Sequence, residues 1–300
     1  MTEPTTGTPA PEQPLTRRAA RAARRAARAS DPGRTPRAGR NLPAAIGVGV
    51  FLVALILASL VFWKPAFVYL VTAAAVVGVW ELAEGLRSGR VDAPLPPVLA
   101  SVGLVPLAYY GGADALAVGF AAAAALVLLW RSFGFAQDAA RDVAGGVFIV
   151  AYVPLLAAIS SLMLAQPDGA GRIITFILVT VASDTGGYAV GVLRGRTPMA
   201  PSLSPKKSWE GFAGSVATSA LVGVLCVVLL LDGAWWAGAL VGAVAAAFAT
   251  VGDLAESAIK RDLGIKDMGS ILPGHGGVMD RLDSLVVTAP VCWALLRLFV

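Results

Sequence analysis

Charge is what this chain has least of. Charged residues fill 14% of its 300 positions and apolar residues 57%, with a mean hydropathy of +0.73, whereas a soluble domain carries roughly 25% charged residues. An ordinary soluble fold is therefore excluded. Cysteine is nearly absent too: Cys226 and Cys292 sit inside apolar runs without CxxC spacing, which makes them packing residues. No P-loop, GxGxxG fingerprint or HExxH occurs in the sequence, so nucleotide folds and zinc-protease chemistry of the soluble kind have no support. The first 41 residues contain no apolar run and so lack the core of a cleaved signal peptide.

What fills the chain instead is long apolar runs, and the expected fold is all-α, a polytopic bundle of membrane-spanning helices. Runs of about 17 to 25 residues span a bilayer as helices. Nine such runs are expected, near 45–62, 66–84, 97–112, 115–130, 143–165, 173–193, 212–231, 234–252 and 284–300. Gly111 and Gly112 punctuate the third and fourth, which could instead form a tight re-entrant pair. With the N-terminus in the cytoplasm, 21 of the 24 basic side chains fall inside, leaving Lys64, Arg172 and Arg297 outside. Loops rich in Lys and Arg stay cytoplasmic, so nine helices with the N-terminus in and the C-terminus out are expected.

The domain division follows the same break. Residues 1–41 form a basic cytoplasmic tail and 42–300 the transmembrane catalytic domain, whose polar motifs lie within about 180–283. In the tail, 17–29 reads RRAARAARRAARA, with no apolar face beyond alanine. Such a segment is a solvated topogenic tail or a contact for anionic lipid, where each cation adds about 1 kcal/mol of attraction.

Three polar clusters interrupt the apolar background, all on the expected cytoplasmic side. Asp184 lies in SDTGGY, midway along the sixth run, and a carboxylate there must face a polar cavity or a partner. Lys206, Lys207 and Ser208 lie in LSPKKSWEG, just ahead of the seventh. Paired ammonium groups near a helix N-terminus suit phosphate, since both they and the free backbone N–H groups point at an anion. The third cluster begins with Asp253 and Glu256 and continues as SAIKRDLGIKDMGSILPGHGGVMDRLD over 257–283, with four basic residues, four carboxylates and the only histidine, His275. Asp253, Glu256, Ser257 and Lys260 share one face if the eighth helix continues through them. Asp280 and Asp283 stack one turn apart, and the glycines around His275 allow backbone amides to approach a ligand. Carboxylates that hold a hard cation, beside lysines that neutralise phosphate, are what a magnesium–nucleotide complex requires.

Ser257, Lys260-Arg261, Lys266-Asp267, Pro273, His275-Gly276-Gly277, Asp280-Arg281 and Asp283 together resemble the signature of the phosphatidate cytidylyltransferase family, the CDP-diglyceride synthases. SDTGGY and SPKKSWEG resemble that family's upstream motifs. The resemblance implies transfer of a cytidylyl group from CTP to phosphatidic acid, giving CDP-diacylglycerol and pyrophosphate, with Mg²⁺ as cofactor and room for a second, monovalent cation. It implies Asp253, Asp280 and Asp283 as metal ligands. Lys260, Arg261 and Lys266 would meet the phosphates of CTP or the departing pyrophosphate, with Arg281 a further catalytic residue, while Lys206 and Lys207 meet the phosphates of either substrate. Ser257 and Ser208 would donate to phosphate oxygens, Asp267 and Asp184 would hold lysines or water, Gly276 and Gly277 would line the substrate, and His275 would donate a hydrogen bond rather than act as a base. A homodimer in the inner (plasma) membrane, facing the cytoplasm and with no nucleic-acid partner, completes the implied picture.

Three other functions fit less well. A secondary transporter needs a midplane path open to both sides and inverted repeats, and neither is visible. A CDP-alcohol phosphotransferase needs a DG…AR…G…D…D pattern, which is absent. A lipid-binding scaffold would leave three carboxylates around a glycine-rich turn without a purpose.

Overall fold

The computed structural model describes residues 42–133, 138–269, 271 and 277–300. The basic tail, His275 and Gly276 lie outside the described residues. The compact unit Pro43–Val300 is helical almost throughout. The helices are α1 (Leu42–Phe62), α2 (Lys64–Ser88), α3 (Leu95–Ala100), α4 (Leu104–Ser132), α5 (Ala139–Val150), α6 (Leu156–Leu164), α7 (Gly169–Arg194), α8 (Trp209–Leu230), α9 (Trp235–Asp262) and α10 (Met279–Phe299). A 3₁₀ turn joins α3 to α4, and a π-helical turn, Ala151–Leu155, joins α5 to α6 around Pro154, whose missing N–H breaks the α pattern. Among the described residues, seven continuous helical stretches are long and apolar enough to cross a membrane. Large apolar side chains cover the outside of the bundle, including Phe62 at 85% exposed and Leu229 at 72%. In water that would be costly; it is the surface a helix presents to lipid.

One of the seven, Leu95–Ser132, is 38 residues long. As a straight rod it would reach about 57 Å, against a hydrocarbon core of about 30 Å. It is not straight. Gly112 has φ 75° and ψ −168°, a conformation open to glycine and costly for residues with a Cβ. Past it the chain turns back, so that a Cβ on Gly119 would strike the side chains of Leu107 and Leu104, partners that a straight helix would hold about 18 Å or more away. Both feet of this hairpin meet one buried carboxylate. Asp142 Oδ1 accepts the Asp92 N–H at 2.8 Å, and Oδ2 pairs with Arg131. The third and fourth expected runs are thus two limbs that double back on each other at Gly112.

Basic groups mark two poles. At one, Lys64 Nζ donates to the carbonyls of Gln166 and Pro167 at 3.3 and 3.1 Å, and Arg172 pairs with Asp168 at 2.7 Å while bonding the Leu296 carbonyl next to Arg297. At the other lie Arg87, Arg131 and the ends of the hairpin.

Helices α7 to α10 form the half that carries the polar motifs. Small residues let them touch backbone to backbone. A Cβ on Gly186 would meet Thr218, one on Gly214 would meet Val190, and one on Gly223 would meet the Gly238 carbonyl. Hydroxyls on α8 then bond carbonyls of α7 directly: Ser215 to Ser183 at 2.7 Å, Thr218 to Ala182 at 3.0 Å and Ser219 to Val179 at 2.7 Å. In a membrane interior, where water cannot satisfy these groups, such bonds fix helix register.

The expected loop ahead of α8 is a small antiparallel hairpin, β1 (Pro198–Ala200) with β2 (Ser204–Ser208). Helix-period reading misses so short a pair. Glu210 ties it down, accepting from Arg196 N and Thr197 N, both at 3.1 Å, and from Thr197 Oγ1 at 2.8 Å.

Candidate active site

The C-terminal ends of α7 and α9, the start of α8, the start of α10 and strand β2 surround a cavity of about 400 Å³. From α7 come Ser183, Asp184, Gly187 and Tyr188; from the hairpin and the start of α8, Lys206, Lys207, Ser208 and Phe212. Helix α9 gives Thr250 and Asp253, and α10 gives Asp280, Arg281, Asp283 and Ser284. Asp184 and Asp253 lie ten and nine residues short of the ends of their helices, so the cavity reaches about 15 Å down from the pole. This depth explains how an aspartate midway along an apolar helix is tolerated: it faces a polar hollow.

Each cluster is placed by local structure. Ser208 caps α8, its Oγ accepting the Gly211 N–H at 3.1 Å, and the β2 register brings Lys207 across to α9. There Lys207 Nζ lies 2.6 Å from Asp253 Oδ2 and 3.5 Å from the Thr250 carbonyl. Asp253 Oδ1 in turn accepts Ser284 Oγ at 3.2 Å, and the same hydroxyl lies 3.1 Å from Asp283 Oδ1. One serine therefore bridges two carboxylates from two helices. Lys206, more exposed, lines the opening.

Behind this wall runs a second polar chain. Helix α9 does continue through Asp262, as the shared-face reading requires, and Lys260 Nζ sits 2.8 Å from Glu256 Oε2 and 2.5 Å from Asp280 Oδ1. Asp280 also accepts the backbone N–H groups of Met268 at 3.1 Å and Gly277 at 2.8 Å. Its oxygens thus hold the α9–α10 connection closed while it borders the cavity. Glu256 is 3% exposed, a cost that its ion pair with Lys260 offsets.

Eight of the expected site residues, Asp184, Lys206, Lys207, Ser208, Asp253, Asp280, Arg281 and Asp283, thus meet at one cavity. Lys260 and Gly277 stand one contact away, through Asp280. Ser257, Arg261, Lys266 and Asp267 do not line the cavity; Arg261, Lys266 and Asp267 are exposed at or beyond the end of α9. Among the described residues no three carboxylate, imidazole or thiol groups stand close enough to enclose a metal ion by themselves. The expected partners of the lysines also change: Lys207 is held by Asp253 and Lys260 by Asp280 and Glu256, not by Asp184 or Asp267. Reasoning from sequence missed Ser284 and Glu81, the latter a buried carboxylate whose Oε2 accepts the Met279 N–H at 2.8 Å. Glu81 carried the same signal as Asp184, an acid within an apolar run.

Comparisons with known proteins identify the family. The model of the cytidylyltransferase family matches residues 43–299. A phosphatidate cytidylyltransferase of Mycobacterium leprae is 41% identical over 316 aligned positions, covering 99% of this chain and 98% of the relative. One from Mycobacterium bovis is 38% identical, covering 98% and 97%. One from a Synechocystis species is 42% identical over 134 positions, covering 40% of this chain and 43% of the relative. With a family match along nearly the whole transmembrane unit and relatives matched end to end, the chain belongs to the cytidylyltransferase family.

Proposed function

We infer that this chain transfers the cytidylyl group of CTP to phosphatidic acid, releasing pyrophosphate and leaving CDP-diacylglycerol in the bilayer. The observation that carries the reading is the meeting of the SDTGGY, SPKKSWEG and DRLD segments at one deep cavity, in a chain whose full-length relatives are phosphatidate cytidylyltransferases. One substrate is a lipid and the other a water-borne triphosphate, and a cavity sunk about 15 Å below the pole of a helical bundle admits both.

The reaction joins a phosphate-monoester oxygen of phosphatidate to the α-phosphorus of CTP and breaks the bond to the β-phosphate, whose oxygen leaves with the electron pair. The nucleophile has a second pKa near 6 and is largely ionised at neutral pH, so no side chain need remove a proton. What the protein must do is hold two anions together in line. Lys206, Lys207 and Arg281 are placed for the phosphates at the cavity, and the amide and hydroxyl donors around Ser208 add to them. Lys260 acts from behind, fixing Asp280.

The family resemblance implies Mg²⁺, and the donor set suits it. This ion is commonly held through one or two carboxylates, with waters and substrate phosphates completing the octahedron. Asp253 and Asp283, bridged by Ser284, offer that pair of hard oxygens, and Asp280 borders them as a third. When bound there, the ion would supply positive charge to offset the phosphate oxygens of CTP.

For topology we propose nine crossings, counting α1, the two limbs of the Gly112 hairpin, the α5–α6 pair as one, and α2, α7, α8, α9 and α10. The N-terminal tail and the cavity would face the cytoplasm and the C-terminus the outside of a bacterial inner membrane. The separation of Lys64, Arg172 and Arg297 at the pole away from the cavity supports this. The family resemblance suggests a homodimer, which faces rich in glycine and alanine permit, and no nucleic-acid partner is proposed. The decisive assay is radiolabelled CTP with phosphatidic acid in detergent micelles, with and without EDTA, followed by lipid extraction. Label entering the lipid only without EDTA is expected; no lipid label under either condition would overturn the reading.

A further inference from the structure

Helix α2 is apolar over most of its length, yet Glu81 within it is only 2% exposed. Its Oε2 accepts the backbone N–H of Met279 at 2.8 Å, across a sequence gap of 198 residues. Met279 is the first residue of α10, and Val278 before it supplies no side-chain cap. The first N–H groups of a helix have no intrahelical partner, and a carboxylate there is favoured by the helix dipole. Glu81 is therefore a capping group delivered from another helix to the one that carries Asp280, Arg281 and Asp283.

The surroundings are shaped to admit it. A Cβ on Gly269 would run into the Glu81 carboxylate, and one on Gly277 would come within 2.7 Å of its Oε2. On either side of Glu81 along the same face of α2, glycines receive the partner segments. Gly78 lies under Met279 and Leu282, and a Cβ on Gly85 would lie 3.3 Å from the Met268 sulfur. The connection leaving α9 and the first turn of α10 thus rest on one stripe of α2, with its single carboxylate at the point of contact.

We propose that Glu81 is a positioning residue: by holding the Met279 N–H it sets the rotation of the first turn of α10 and so the placement of Asp280 and Asp283 in the cavity. The proposal rests on the cytidylyl-transfer reading above. A misplacement of about 1 Å in such a constellation costs on the order of 100-fold in rate.

The test compares full-length wild type with Glu81→Gln and Glu81→Ala, purified in detergent. Two measurements are made: steady-state kinetics across Mg²⁺ concentration, and hydrogen–deuterium exchange of the peptide covering the start of α10. Gln keeps an oxygen that can accept the Met279 N–H; Ala does not. Expected for Ala is a fall in kcat of about 100-fold with KM for CTP within a few-fold, a higher Mg²⁺ requirement, and about tenfold faster exchange at the start of α10, the scale of one lost hydrogen bond. Exchange in α8 should be unchanged, and Gln should restore most of both losses. Unaltered exchange at α10 in the Ala variant overturns the proposal, as does loss of activity that Gln fails to restore. Exchange is read without turnover, so a wild type inactive toward CTP and phosphatidate would count against the proposed reaction and leave the capping role to be decided by exchange alone.

Discussion

Lys207 and Asp253, 46 residues apart in sequence, form an ion pair with Nζ 2.6 Å from Oδ2 at the wall of the cavity. It joins a strand to a helix, and it puts a cation proposed to meet phosphate in contact with a proposed metal ligand. Lys207→Met leaves Asp253 without its cation, and Asp253→Asn leaves the reverse. Each is expected to lower kcat/KM by about 100-fold, the order typical for loss of one electrostatic contact to the reacting centre. Because the two act through one contact, the double variant should be little worse than the poorer single. A double-variant cycle with fully multiplying losses would show them to be independent. Asp283→Asn belongs to the same series: turnover should be lost and only partly recovered by raised Mg²⁺, and near-normal activity at limiting Mg²⁺ would remove it from the ligand set.

Close helix approach makes a second expectation. A methyl added at Gly223 meets the Gly238 carbonyl, whereas one at Gly49 meets nothing within 4 Å. Gly223→Ala should push α8 and α9 apart at a cost of about 1–3 kcal/mol, seen as a lower melting temperature in detergent. Gly49→Ala, the control, should leave the melt unchanged or slightly raised. Equal melting of the two would mean that the α8–α9 contact contributes little.

Topology can be read with fused reporters. Fusions after residues 41, 196 and 265 should report cytoplasm, and those at Gly169 and the C-terminus should report the outside. A cytoplasmic C-terminus would refute the count of nine.

The tail carries no residue proposed to touch substrate. Deleting residues 1–40 to leave a short arginine-bearing stub should preserve specific activity in anionic vesicles, with at most a small benefit of the full tail that added salt removes. A loss above about tenfold at both low and high salt corresponds to ~1.4 kcal/mol and would place the tail in the active site.

Much of this was legible in the chain because lipid simplifies the code. An apolar run of the right length can do little but span, and a charged residue within one must have a reason, which is how Asp184 stood out before its cavity was visible; Asp253 and Asp283 stood out as carboxylates of the polar cluster between two such runs. The meeting of Lys207 with Asp253 was not legible, since it depends on the register of a hairpin whose longer strand is five residues. Ser284 was hidden for a different reason: a serine in a membrane helix usually bonds its own backbone, and only the packing of α9 on α10 turns this one toward two carboxylates. Glu81 was passed over although it is an acid within an apolar run, and its capping role was beyond reach, because nothing in the local sequence of α2 points 198 residues ahead.

The reversal at Gly112 bears on more than packing. Because Asp92 and Arg131 meet the same Asp142, the stretch between them returns the chain to the pole it left. In terms of parity its two passes cancel, and everything from Asp138 onward keeps the sidedness it would have had if residues 95–132 were missing. A single unbroken helix in their place would send Lys207, Asp253 and Asp283 to the opposite face, away from the cytoplasm in the proposed orientation. In that orientation, the side on which the proposed chemistry takes place depends on one residue that tolerates a positive φ.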